Sequence, residues 1–269
     1  MKLNVQYTSD LVGKDPDLRL LIYGPERSGK TSFAGTFPAP IILAPSLCKS
    51  ELSTLLDSEI PVVFYKTADE AVRLCKELEK EKRTGFKQVG PFRTIIIENM
   101  TVAAQMWLQE FESGNVRNPQ RDIWGRLSET ILQMYRTLHA IDGTHVVWIC
   151  HDSLKYHIEG EGKDKRTVAT GEYSVPGNAF RDVISKTCIV AHTELKETDL
   201  RRNYQVWFKK HGVWNAGGWF PVSRKLARDL EFIGAPKHKH VHYDVLAEAM
   251  GLPSQRQVED ILFGKDMSK

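Results

Sequence analysis

Cysteine is scarce in this chain and badly spaced for cross-linking or metal binding. The four copies, Cys48, Cys75, Cys150 and Cys188, lie far apart with no CxxC pair, so neither a disulfide scaffold nor a structural zinc site is expected. The opening Met1-Lys2-Leu3-Asn4 has no secretory pattern, and the thiols are read as reduced and cytoplasmic. Long apolar runs are missing too. The longest, such as Ile95-Ile96-Ile97, are strand-sized against the roughly 18 residues a membrane span needs, so a soluble protein with no membrane partner is expected. An excess of one charge is also lacking: 37 basic residues face 34 acidic ones, for a net charge of +3. Such a balance permits nucleic-acid contact only through a local basic patch. No internal repeat is visible.

What is present is an alternation of apolar runs and amphipathic stretches. Arg19 to Tyr23 reads as a buried strand entering a tight Gly-Pro loop, and a helix follows from about Lys30 to Phe37, stopped by Pro38 and Pro40. Ile41 to Ala44 and Pro61 to Tyr65 read as strands. Ala68 to Lys82 has helical periodicity, with Ala71, Val72, Leu74, Cys75 and Leu78 on one face. Arg93 to Ile97 is apolar after its first two residues, as parallel strands covered on both faces tend to be. Helices are expected over Val102 to Glu112 and Ile123 to Ile141, then a strand over His145 to Cys150. This spacing predicts crossover units and a mostly parallel α/β sheet flanked by helices. From Lys155 to Asn178 the pattern breaks into a Gly-, Glu- and Lys-rich piece, expected as a mobile loop or an extended hairpin. A late antiparallel extension follows, with strands over Thr187 to Leu195 and Asn203 to Lys210 and a turn at His211-Gly212. Short helices broken at Gly251-Leu252-Pro253 close the chain. The expected division is an N-terminal extension to residue 17, one domain over 18–235 and a helical tail over 236–269.

The strongest motif is Gly24-Pro25-Glu26-Arg27-Ser28-Gly29-Lys30-Thr31, followed by Ser32. It matches Gly-x-x-x-x-Gly-Lys-Thr and stands directly after a strand and before a helix, the context the phosphate-binding loop requires. Its backbone N–H groups would cradle phosphate oxygens, Lys30 would reach the β- and γ-phosphates, and the Thr31 hydroxyl would bind Mg²⁺. ATP and Mg²⁺ are therefore the expected ligands. Glu98 ends the Ile95-Ile96-Ile97 strand where such folds place a metal-binding carboxylate, usually Asp. His151 ends the next apolar strand beside the expected γ-phosphate, as a sensor would.

Two further clusters admit two readings each. Lys155, Tyr156, Lys163, Lys165 and Arg166 interleave basic and aromatic residues and could track single-stranded DNA, but Glu159, Glu161, Asp164 and Glu172 nearly cancel the charge, as in a solvated loop. Arg202, Lys209 and Lys210 could complete a neighbouring subunit's phosphate site as trans-acting cations, or could simply protect a basic edge strand.

In this combination the chain resembles the phage-encoded RecA-like ATPases of single-strand annealing and recombination, a branch of the AAA-labelled P-loop proteins. The likeness covers roughly residues 18 to 235. It is carried by Leu20 to Pro25, the phosphate loop, Thr36-Phe37-Pro38-Ala39-Pro40, Thr94 to Ile97, Trp124-Gly125 and Val146 to His151. It implies a RecA-like ATPase fold, single-stranded DNA and other phage recombination or replication proteins as partners, a ring or filament of identical subunits, and a host-cell cytoplasm. Two positions depart from that family. Where its second strand ends in an Asp-x-Glu-like pair whose Glu activates water, this chain has Ala44-Pro45-Ser46, and Glu98 replaces Asp. Glu51 or Glu98 is left to activate water. The alternative is a structural or regulatory assembly protein that holds nucleotide with little turnover. A small-molecule kinase would carry an arginine-rich lid, and none is evident between Gly160 and Arg166.

Overall fold

A computed structural model describes residues 17–55, 58–113, 119–159, 165–185, 187, 189–198, 201–218, 232–234 and 241–263. Five strands and their crossovers build the first half: β1 Arg19–Gly24, β2 Pro40–Pro45, β3 Val62–Tyr65, β4 Thr94–Ile97 and β5 His145–Glu159. The second half adds β6 Arg166–Tyr173, β7 Ile189–Thr198, β8 Arg201–Trp207, β9 Gly217–Gly218 and β10 Phe232–Gly234. The main sheet runs β10-β8-β7-β1-β5-β4-β2-β3. From β3 to β7 every neighbouring pair is parallel, and β8 and β10 extend the edge antiparallel. The expected α/β architecture, mostly parallel with a late antiparallel extension, is borne out.

β1 sits in the middle because its apolar residues can be buried on both faces. Leu21 and Tyr23 enter one core, while Leu20 and Ile22 enter the other. The first core is roofed by α2 Ala68–Thr84, α3 Met100–Ser113 and α4 Pro119–His139, through Leu78, Trp107, Leu127, Met134 and Leu138. A short helix, α5 Ala179–Ser185, adds Phe180 and Val183. The second core receives Phe33 from α1 Lys30–Gly35 and Phe37 from two residues beyond it, together with Cys48 and Leu52 from a 3₁₀ segment over Ser46–Leu55. It also receives Tyr243, Leu246 and Met250 from α6 Tyr243–Met250.

Local chemistry fixes the helix ends. Thr67 accepts from the Glu70 N–H at the start of α2, and Gly85, at φ 87, closes it in the left-handed region. The last helix, α7 Gln255–Leu262, opens with a reciprocal Ser254–Gln257 capping box.

The piece beyond Cys150 differs from a mobile loop. β5 continues to Glu159 and pairs antiparallel with β6 from Asp152↔Tyr173 to Glu159↔Arg166, which is the extended-hairpin alternative. Leu154, Tyr156 and Ile158 alternate with polar residues in the strand period of two, yet all three are exposed, so no core burial advertises them. Lys163, Cys188 and the first 16 residues lie outside the described residues. No helix among the described residues is long and apolar enough to cross a membrane.

Candidate nucleotide-binding site

The phosphate loop leaves the C-terminal end of β1, and its backbone explains its composition. Gly29 precedes α1 at φ 87, and Arg27 holds the left-handed region at φ 60, a conformation that disfavours side chains other than glycine's. Gly24 is needed for close approach: a Cβ there would fall 2.5 Å from the Thr193 carbonyl oxygen and closer still to its hydroxyl. The Lys30 ammonium donates to the carbonyls of Gly24 at 2.9 Å and Pro25 at 2.6 Å. Burial lowers its pKa, against the charges of Glu98, Asp152 and Glu51.

Beside the loop, the Thr31 hydroxyl donates to Glu98 Oε2 at 3.1 Å. This contact joins the first turn of α1 to the residue just beyond β4, the two places from which a P-loop site holds its metal. Glu98 is 1% exposed. Burial first, and the charge of Glu51 second, push its carboxyl up to about 8, with Lys30 and the Thr31 hydroxyl pulling the other way. Among the described residues no three His, Cys, Asp or Glu side chains group as a metal cage. A hydroxyl and a single carboxylate are nonetheless hard oxygen donors of the kind Mg²⁺ takes when phosphates and waters complete its shell, so the residues fit that ion.

Glu51 enters from the 3₁₀ segment. It accepts from Asn99 Nδ2 at 3.3 Å, while Asn99 Oδ1 accepts from the Thr101 N–H. His151 lies inside β5 rather than at its end. Its Nδ1 is 4.0 Å from Glu26 Oε1, and its buried Nε2 has no hydrogen-bond partner among the described residues. Burial, then the Lys30 charge, lowers the imidazole pKa, favouring the neutral ring.

These groups share one pocket of about 580 Å³, lined by Glu26, Arg27, Gly29, Lys30, Thr31, Ser32, Ser50, Glu51, Ser53, Glu98, Asn99, His151 and Tyr204. The structure thus brings together Lys30, Thr31, Glu98 and His151, as the sequence suggested. It adds Ser50, Ser53, Asn99 and Tyr204, whose lining role leaves no local signal. Thr193 was also missed, because it reaches Ser28 across 165 positions of sequence.

Lys155, Tyr156, Lys165, Arg166, Lys209 and Lys210 do not line the pocket. Lys155 and Tyr156 point to opposite faces of the hairpin by strand alternation, and Lys165 and Arg166 are exposed at its far end. Lys155 pairs with Glu172, and Arg166 pairs with Glu159 at 3.2 Å. Arg202 lies near the start of β8 opposite Glu197, whereas Lys209 and Lys210 follow its other end and are exposed. The backbone thus sets Arg202 at the opposite end of β8 from the two lysines.

A family model described as an AAA domain matches residues 17–218. No curated protein matches the chain. Among solved structures, a KaiC-like protein from the hyperthermophilic archaeon Pyrococcus horikoshii OT3 is similar at 14% identity and a TM-score of 0.40, over 78% of this chain and 87% of that one. Because the family match begins just before β1 and runs through the phosphate loop to β9, the chain belongs to the AAA domain family and is an ATP-binding P-loop protein.

Proposed function

We propose that the chain binds Mg²⁺-ATP over the phosphate loop and hydrolyses it, as a RecA-like ATPase acting on single-stranded DNA in phage recombination or replication. The observation that carries the nucleotide part is the Thr31–Glu98 hydrogen bond, set in the same pocket as Lys30. Bound Mg²⁺ would neutralise charge on the β- and γ-phosphate oxygens. Gly24 to Ser32 supply the cradle, Lys30 pairs with the phosphates, and Thr31 with Glu98 forms the metal side. His151 lines the same pocket, where a sensor of the γ-phosphate would stand.

Glu51 takes the part of the missing strand-end base. It lines the pocket on a segment separate from the Thr31–Glu98 pair, and Asn99 holds its carboxylate. Water attacks the γ-phosphorus, its proton passes to Glu51, and the bond to the β–γ bridging oxygen breaks to leave ADP and phosphate. Filter binding of labelled ATP to wild type and Lys30→Ala tests the cradle: wild type should bind much more tightly, and equal affinities would reject it.

The DNA part is supported by Tyr156, exposed at 67% between Leu154 and Ile158 on one hairpin face, where bases could stack. Because Lys155 and Arg166 already face acids, single-strand binding should show a shallow salt dependence. Absence of binding at low salt, with or without ATP, would remove this part and leave nucleotide binding standing. Assembly into a ring or filament would let Arg202, Lys209 or Lys210 serve a neighbour's phosphate site, which sizing with and without ATP examines. A second reading, ATP as a structural ligand with negligible turnover, is favoured by Ala44-Pro45-Ser46 at the end of β2, where no acid stands, and by Glu98 in place of Asp. Phosphate release measured with and without single-stranded DNA separates the two.

A further inference from the structure

We propose that Thr193, on β7, is a positioning residue that latches the phosphate loop in its ligand-competent shape. The inference rests on the reading of Gly24 to Thr31 as a phosphate cradle. Thr193 is fully buried, and its hydroxyl lies 2.6 Å from Ser28 Oγ and 3.3 Å from the Tyr23 carbonyl. Ser28 Oγ in turn donates to the Pro25 carbonyl at 2.7 Å. Each hydroxyl has one proton, so the shorter contacts set the order: Thr193 donates to Ser28, and Ser28 donates to Pro25.

The chain of bonds ties the loop to a strand that the phosphate-loop motif does not contain. Three features show why a tie is needed. Arg27 holds a left-handed backbone without being glycine, the Ser28 N–H reaches Pro25 O at a long 3.3 Å, and Lys30 is the other side chain bonded to Pro25. When Lys30 turns to a phosphate, the Ser28–Thr193 pair is what continues to hold the Pro25 carbonyl. Gly24 completes the fit, since its missing Cβ is the space Thr193 occupies. Loss of the latch lets the loop populate shapes that do not bind, and apparent affinity falls with the competent fraction.

The test measures equilibrium binding of ATP and of inorganic tripolyphosphate to wild type, Thr193→Val, Thr193→Ser and Ser28→Ala. Valine keeps the β-branched shape without the hydroxyl; serine keeps the hydroxyl. The expected result is a roughly tenfold loss for both ligands in Thr193→Val and Ser28→Ala, little loss in Thr193→Ser, and no further loss in the Ser28→Ala/Thr193→Val double variant. Parallel loss for tripolyphosphate places the effect at the loop rather than at the base. Wild-type affinity in Ser28→Ala overturns the proposal even if Thr193→Val does not fold, and so do equal losses in the valine and serine variants. Lys30→Ala run alongside separates the two ideas: unchanged affinity there rejects the cradle itself.

Discussion

Glu51→Gln is the sharpest probe of the hydrolytic site, because the structure gives the two carboxylates different work. Glutamine retains an oxygen for the Asn99 amide that now reaches Glu51 at 3.3 Å, so the 3₁₀ segment keeps its anchor and ATP affinity should stay within about threefold. It cannot take a proton from water. Loss of a positioned general base costs about 10²- to 10⁴-fold in rate, or roughly 3 to 5 kcal/mol of barrier. The charge change has a second, independent consequence. Glu51 is one of the two causes that raise the Glu98 carboxyl to about 8, so its neutralisation should let Glu98 ionise at lower pH. Metal-dependent nucleotide binding should then reach its plateau at lower pH in the variant than in wild type. Single-turnover hydrolysis of labelled ATP, paired with filter binding across a pH series in Mg²⁺, reads both effects. A turnover rate within about threefold of wild type would refute the assignment of Glu51, as would a rate loss matched by an equal loss of affinity.

Without nucleotide or metal, the raised Glu98 pKa links stability to pH. The native state holds a proton that the unfolded chain, at its ordinary value of 4.5, has released, so the contribution is full below that value and is lost as pH rises toward 8. Wild type in EDTA should melt at progressively lower temperature than Glu98→Gln between about pH 5 and about pH 8; parallel melting curves would refute the linkage. Gly24→Ala forces a Cβ against Thr193 and should destabilise by roughly 1 to 3 kcal/mol while weakening ATP binding, both measurable by melting with and without nucleotide. Ser254→Ala removes the capping box of α7 and should lower stability by about 1 kcal/mol in urea titration, with ATP affinity unchanged.

The parts that were legible in sequence are those whose signals are local. β1 and the phosphate loop share one stretch with an apolar run, paired glycines and a lysine, and β4 announces itself as three isoleucines closed by an acid. The break at Gly251 to Pro253 separates α6 from α7 as its residues indicate. The hairpin was harder because its alternating Leu154, Tyr156 and Ile158 face outward, so composition resembled a loop while the period was that of a strand. The start of α4 at Pro119 precedes the first regularly spaced apolar residues, and α5 is only seven residues long, too short for a helical period to show. At the site, Glu51 was visible only as one spare acid among many. Thr193 and Tyr204 carried no signal, since Thr193 reaches the phosphate loop, and Tyr204 the pocket, from strands beyond the motif.

The packing of α6 against α1 sets a practical boundary. The family match ends at residue 218, yet the back of the phosphate-loop helix is covered from beyond it. Tyr243, Leu246 and Met250 are at most 1% exposed within the core that holds Phe33 and Phe37, and the Tyr243 N–H donates to Thr36 Oγ1 at 2.8 Å. Large apolar side chains contribute roughly 1.5 to 3 kcal/mol each on burial, against a net domain stability of about 5 to 15 kcal/mol. A chain shortened to the family boundary would leave the nucleotide helix with a wet apolar back. The smallest fragment expected to keep a firm phosphate loop therefore includes α6, some thirty residues past the limit that family resemblance alone would suggest.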